Sequence, residues 1–233
     1  MMRPRIAAHL LGLGRWYFHL YWRIRGARGR VAFKPAEEAR AAVFIHIPKA
    51  AGMSIQQALF GTRALHGHVP AIAYAARDRA KFARSFSFSV MRDPTERFIS
   101  AFYFLKSGGL TGRDRAWAEA VLRPFESPEA LLCAMEHDAM LRAQIRSWVH
   151  FTPQSWYLTD RRGALIVDYI GQMERFDTSL GAIAQRLGLP YTPVHANRSE
   201  RPAQPELSLT ARRVLCRLYG EDFALYRKSG GAA

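Results

Sequence analysis

The chain is short of acid. Its 233 residues hold 34 Lys and Arg against 19 Asp and Glu, a net charge of +15 with His neutral. A surplus of that size calls for an anionic partner, whether nucleic acid, membrane surface, acidic glycan or nucleotide, and does not choose among them. Cysteine is scarcer still: Cys133 and Cys216 are the only two. They neither specify nor exclude a disulfide, they have no zinc-type spacing, and they read most simply as half-buried free thiols in helices. Long apolar runs are missing. The best candidate, residues 6–22, is interrupted by His9, Arg15 and His19, whereas a spanning helix wants about 20 apolar residues with few charges. A cleavable secretory signal would need a cleaner apolar core and a small-residue cleavage site. Also absent are an internal repeat and the nucleoside-triphosphate loop G-x-x-x-x-G-K-[ST].

The basic charge is uneven. Residues 1–36 contain Arg3, Arg5, Arg15, Arg23, Arg25, Arg28, Arg30 and Lys34 and no Asp or Glu, interleaved with Leu, Trp, Tyr and Phe. Aromatic and basic residues together suit a helix lying in a membrane interface. A helix packed on the chain's own domain fits equally well. Residues 1–36 are therefore set apart as a basic amphipathic segment and 37–233 as one domain, long enough to bury a core of its own.

Within that domain strands and helices alternate. Strands are expected at 42–47, 86–91 and 165–170. Helices are expected at 54–60, around 71–82, and at 94–106, 115–122, 128–147, 177–187, 209–219 and 221–227, with a mobile basic loop at 108–116. The alternation argues for a parallel sheet with helices on both faces.

Two strand-to-helix junctions carry the chemistry. In the first, Val43-Phe44-Ile45 leads into Pro48-Lys49-Ala50-Ala51-Gly52-Met53-Ser54. Small residues let the backbone approach an anion. Ser54 could cap the new helix, free N–H groups at its start favour phosphate, and Lys49 adds a mobile point charge. In the second, Ser85–Val90 alternates like a half-buried strand, and Arg92-Asp93-Pro94 follows. Pro94 suits a first helical turn. Arg92 at the strand end and Ser100 on the next helix could clamp one phosphate, by a planar fork and a hydroxyl donor.

IPKAAGMS followed by VMRDPTERFISAFY resembles the 5′- and 3′-phosphate-binding segments of sulfotransferases, above all the Golgi carbohydrate sulfotransferases and their bacterial relatives. The resemblance implies a P-loop-like three-layer α/β fold with a central parallel sheet flanked by helices. It implies 3′-phosphoadenosine-5′-phosphosulfate (PAPS) as donor and no metal. Lys49, Ala50, Ala51, Gly52, Met53 and Ser54 would hold the 5′-phosphosulfate, and Arg92 and Ser100 the 3′-phosphate. Where relatives have Thr or Ser, this chain has Ala50, which leaves the backbone N–H groups as donors.

Leu65-His66-Gly67-His68-Val69 resembles the HGHV segment of uronosyl 2-O-sulfotransferases. That likeness implies His68 as general base and His66 as its neighbour in the acceptor site. A neutral imidazole is suited to taking a hydroxyl proton near neutral pH. The segment around Pro153-Gln154 resembles the family's Pro-Gln pair, with His150 before it as a second acceptor-site candidate. Arg198, in Asn197-Arg198-Ser199, sits where relatives place a loop closing over the nucleotide. The expected partners are a glycan or glycolipid acceptor and an anionic membrane touched by residues 1–30, not nucleic acid. The expected place is the cytoplasm at a membrane surface, as in bacterial-type enzymes, rather than the Golgi lumen. Two rivals stand beside this. A nucleotide-dependent kinase would want a Mg²⁺-holding carboxylate and a Gly-rich loop. A basic module binding anionic lipid or nucleic acid explains the charge but not two phosphate motifs at strand ends.

Overall fold

A computed structural model describes residues 4–62, 67–193 and 206–229. His66 and Arg198 lie outside the described residues. In chain order the elements are α1 (Pro4–Leu10), α2 (Gly14–Ala27), α3 (Pro35–Glu38), β1 (Ala42–Phe44), α4 (Gly52–Phe60), α5 (Ala71–Arg77), α6 (Arg79–Arg84), β2 (Phe86–Met91) and α7 (Pro94–Lys106). There follow α8 (Gly112–Val121), α9 (Pro128–His137), α10 (Ala139–Ser147), α11 (Ser155–Leu158), β3 (Tyr169–Gln172), α12 (Phe176–Arg186) and α13 (Leu209–Ser229).

The strands form a parallel sheet in the order β1-β2-β3, with Phe44 opposite Phe88 and Phe88 opposite Tyr169. Side chains alternate across a strand, so β1 feeds two cores. Val43 joins Ile45, Tyr74 and Tyr157 on one face. Ala42 and Phe44 join Ile55, Leu59, Phe88, Leu180 and Ile183 of α4, β2 and α12 on the other. A third core lies beyond the sheet, where Phe98, Phe102 and Leu105 of α7 meet Leu131, Met135, Val214 and Leu215. The mixed α/β architecture expected from the alternation of elements is thus present.

Several boundaries differ from expectation. The stretch 71–82 breaks at Asp78, and 128–147 at Asp138. Each Asp turns extended and its carboxylate accepts a backbone N–H three residues on, from Lys81 or Leu141. Part of the loop expected at 108–116 is helical, because Thr111 and Asp114 form a reciprocal capping box that starts α8 at Gly112. The expected strand at 165–170 begins only at Tyr169, since Leu165 is bridged to Thr159 instead. The two C-terminal helices run on as α13, kinked at Tyr219. Cys133 is half-buried and Cys216 is exposed, both as free thiols.

The N-terminal segment packs on the domain. It is not one helix: Gly12, at φ +72°, separates α1 from α2. Gly26 of α2 lies so close to α5 that a Cβ there would stand 2.2 Å from the Ala73 carbonyl oxygen.

Candidate active site

The turn after β1 is held open by backbone conformation. Lys49 and Ala51 both take positive φ, 67° and 57°, a region that costs a residue with a Cβ about 1 kcal/mol or more. Ala51 is the residue before α4, and no side chain caps the helix. Ser54 therefore does not play the capping part expected of it: it stands exposed, already inside the first turn. The first N–H groups of a helix lack intrahelical partners, so the start of α4 offers donors for an anion. Ala50 and Gly52 are buried, and Met53 is exposed. Gly52 has a steric duty, since a Cβ there would stand 1.9 Å from His46 Nε2.

Arg97 braces this turn from α7. Its Nε donates to the Pro48 carbonyl at 3.0 Å and its Nη2 to the Thr152 carbonyl at 2.9 Å, both in buried surroundings. Arg97 thus ties the turn after β1 to the segment before Gln154. Gln154 in turn clasps the end of β2. Its Oε1 accepts from Arg92 N at 3.1 Å and its Nε2 donates to Arg92 O at 2.8 Å. Asp222 fixes the clasp by accepting the N–H groups of Gln154 and Ser155. The Arg92 guanidinium is mostly buried and donates to Glu96 at 3.2 Å. Ser100, also buried, lies one turn past Glu96 on α7.

Beside the turn is a cluster of imidazoles. The His68 ring lies 4.5 Å from that of His46 and 6.0 Å from that of His150. Phe104 of α7 bridges the cluster to the turn: its ring is 4.9 Å from His150 and carries Lys49 Nζ at 3.7 Å over its face. His68 Nδ1 is 3.2 Å from the His46 carbonyl oxygen. A carbonyl only accepts, so Nδ1 carries the proton and Nε2 keeps the lone pair. In His150, Nε2 faces Asp114 Oδ1 at 3.3 Å, while Nδ1 is buried with no hydrogen-bond partner among the described residues. The Asp114 carboxylate works twice. Oδ2 accepts from Thr111 at the start of α8, and Oδ1 orients His150.

Burial holds both rings neutral. Desolvation lowers the pKa of His68 to about 4, with the bond to the His46 carbonyl working in the opposite sense. Desolvation lowers His150 to about 4 as well, against the pull of Asp114 and helped by His68, Lys49 and Arg97. Both rings are therefore bases, not acids, at neutral pH.

These lowered pKa values make stability depend on pH. An unfolded His takes up its proton near pH 6.5, whereas His9, His68 and His150 do so near 4 when folded. Between those values the unfolded chain binds more protons, so stability is full above pH 6.5 and is lost as pH falls towards 4. The urea midpoint should drop between pH 7 and pH 4.5. A flat midpoint across that window would mean that the rings are not held neutral by burial.

The structure therefore brings Lys49, His68 and His150 into one cluster and sets Arg92 just before α7 and Ser100 midway along it. Sequence reasoning misses His46, whose only local signal is that it is a lone polar residue among the apolar ones before Pro48. Asp114 was visible as the one acid among the basic residues of 108–116. A family model described as "Sulfotransferase family" matches residues 37–229. No curated protein and no solved structure matches the chain.

Proposed function

The chain belongs to the sulfotransferase family, and we propose that it moves the sulfuryl group of PAPS to a hydroxyl of a carbohydrate or glycolipid acceptor. The observation that carries this reading is the bridge of Phe104 between Lys49 and His150, which joins a phosphate-type turn to neutral imidazoles. The donor's 5′-phosphosulfate lies on the N–H groups at the start of α4. The acceptor hydroxyl approaches from the imidazole side, in line with the breaking S–O bond. His68 Nε2 takes its proton as the oxygen attacks sulfur. Lys49 and the backbone donors of residues 50–54 stabilise the charge growing on the departing phosphate oxygen. His150, oriented by Asp114, lines the acceptor side. Transfer of labelled sulfate from PAPS to a panel of glycans and glycolipids tests the reading. Transfer to none of them, with no saturation by 3′-phosphoadenosine 5′-phosphate, would refute it.

Arg92 and Ser100 hold the 3′-phosphate in this scheme, which is binding energy spent on orientation. Gln154 grips only the backbone of Arg92, so Arg92→Ala leaves that clasp intact. The variant should bind 3′-phosphoadenosine 5′-phosphate about 2–4 kcal/mol more weakly, as for a lost charge-assisted clamp. Its affinity for AMP should hardly change. Calorimetric titration of both ligands decides, and equal losses would remove Arg92 from the 3′-phosphate.

A further inference from the structure

The outer face of α2 is apolar and uncovered. Leu13, Trp16, Leu20 and Ile24 are all exposed, and spacings of three, four and four residues put them on one stripe. Leu10, the last residue of α1, and Leu11, in the turn that follows, are exposed beside it; Leu11 is 73% exposed. This is not the core face of the helix. The opposite side is already packed: His19 Nε2 meets the Trp156 carbonyl at 3.0 Å, Phe18 lies 5.4 Å from the Tyr157 ring, and Gly26 touches Ala73. The helix thus has two apolar faces, and the domain uses one.

We propose that this outer stripe docks the protein on an anionic lipid bilayer. Charge selects that occupant. Arg5, Arg23, Arg28 and Arg30 are exposed around the stripe, and residues 1–36 hold no Asp or Glu. Across a symmetric contact with a second copy these arginines would share a crowded interface with their own kind, whereas acidic headgroups would neutralise them. Trp and Leu on one side with Arg at the margins is the pattern of a helix lying in the interface. The helix lies on the bilayer and does not cross it. Its 14 residues span roughly 21 Å at 1.5 Å each, short of a hydrocarbon core of about 30 Å. Among the described residues no helix is long and apolar enough to cross a membrane. Docking here also sets the site near the lipid, because α2 packs on α5, which begins three residues after His68. The proposal goes beyond the reaction assigned above and does not depend on it.

Co-sedimentation of the full chain with vesicles tests it. The protein should bind phosphatidylglycerol–phosphatidylcholine vesicles, bind pure phosphatidylcholine vesicles far less, and release as salt rises. Trp16→Ser with Leu20→Ser should weaken binding to the anionic vesicles about tenfold or more, from the apolar area no longer buried. Both residues are exposed, so the variant should keep its melting temperature, and circular dichroism checks that it does. Equal binding of parent and variant would overturn the proposal, as would a parent indifferent to lipid charge. So would a parent that sediments as a dimer in the ultracentrifuge and a variant that is a monomer, because a second copy would then be the occupant. Nucleotide titration is a separate measurement, and its failure would count against the sulfotransferase reading alone.

Discussion

His68→Ala is expected to lower turnover by about 10²–10⁴-fold, the range for loss of a positioned general base, with binding of 3′-phosphoadenosine 5′-phosphate intact. The pH dependence carries the sharper signature. Burial holds the His68 pKa near 4, so the parent should keep its rate well below the usual histidine range. Activity should fall only as pH drops through about 4, where the ring gains a proton and ceases to be a base. The variant should lose that acidic limb. His150→Ala makes the comparison fair, because His150 is neutral too and has a buried Nδ1 without a partner among the described residues. Its loss should act mainly on the acceptor KM. If instead His150→Ala abolishes turnover and His68→Ala spares it, the base is His150 backed by Asp114, and His68 is an acceptor-site residue.

The sequence shows most where a signal is local. Strand 86–91 and helix 94–106 are read to the residue. Alternating Phe and Ser mark the strand, Asp93-Pro94 starts the helix with the carboxylate accepting from Thr95 and Glu96, and Gly108-Gly109 follow its end. α4 starts two residues before Ser54, the hydroxyl that would suit a cap, because the chain turns there through a left-handed Ala51. The strand expected at 42–47 keeps only Ala42–Phe44 as β1; Ile45 still donates to the Phe88 carbonyl, and beyond it the chain turns away through a left-handed Lys49. The site divides in the same way. Lys49 and His68 stand out because short motifs carry them. The pairing of His150 with Asp114 does not, since 36 residues separate them in the chain and the contact exists only once the turn after α10 has packed against α8. Arg97 was visible merely as a charge near Ser100, and nothing local says that its guanidinium points back to Pro48.

That buried guanidinium has the largest structural effect to test. Arg97→Met keeps most of the volume and removes both bonds, leaving the carbonyls of Pro48 and Thr152 buried without their donor. The expected cost is about 2–4 kcal/mol of stability, since each orphaned acceptor bears its desolvation. Chemical denaturation at pH 7 reads it. The turn loses its brace at the same time, and the left-handed Lys49 and Ala51 can relax away from the shape that presents the backbone donors. Affinity for AMP and for 3′-phosphoadenosine 5′-phosphate should therefore fall together, because the damage lies at the 5′ end. A loss confined to the 3′-phosphorylated ligand would make Arg97 a direct ligand of that phosphate. A further readout separates bracing from bulk destabilisation. The Arg97 charge helps to hold down the pKa values of His68 and His150, so its removal should raise both. The acidic limb of the rate profile should then move upward from about 4 in Arg97→Met and stay near its original place in Arg97→Lys, which keeps the charge. A limb unmoved in both variants, with unchanged stability, would show that Arg97 neither braces the turn nor acts on the imidazoles.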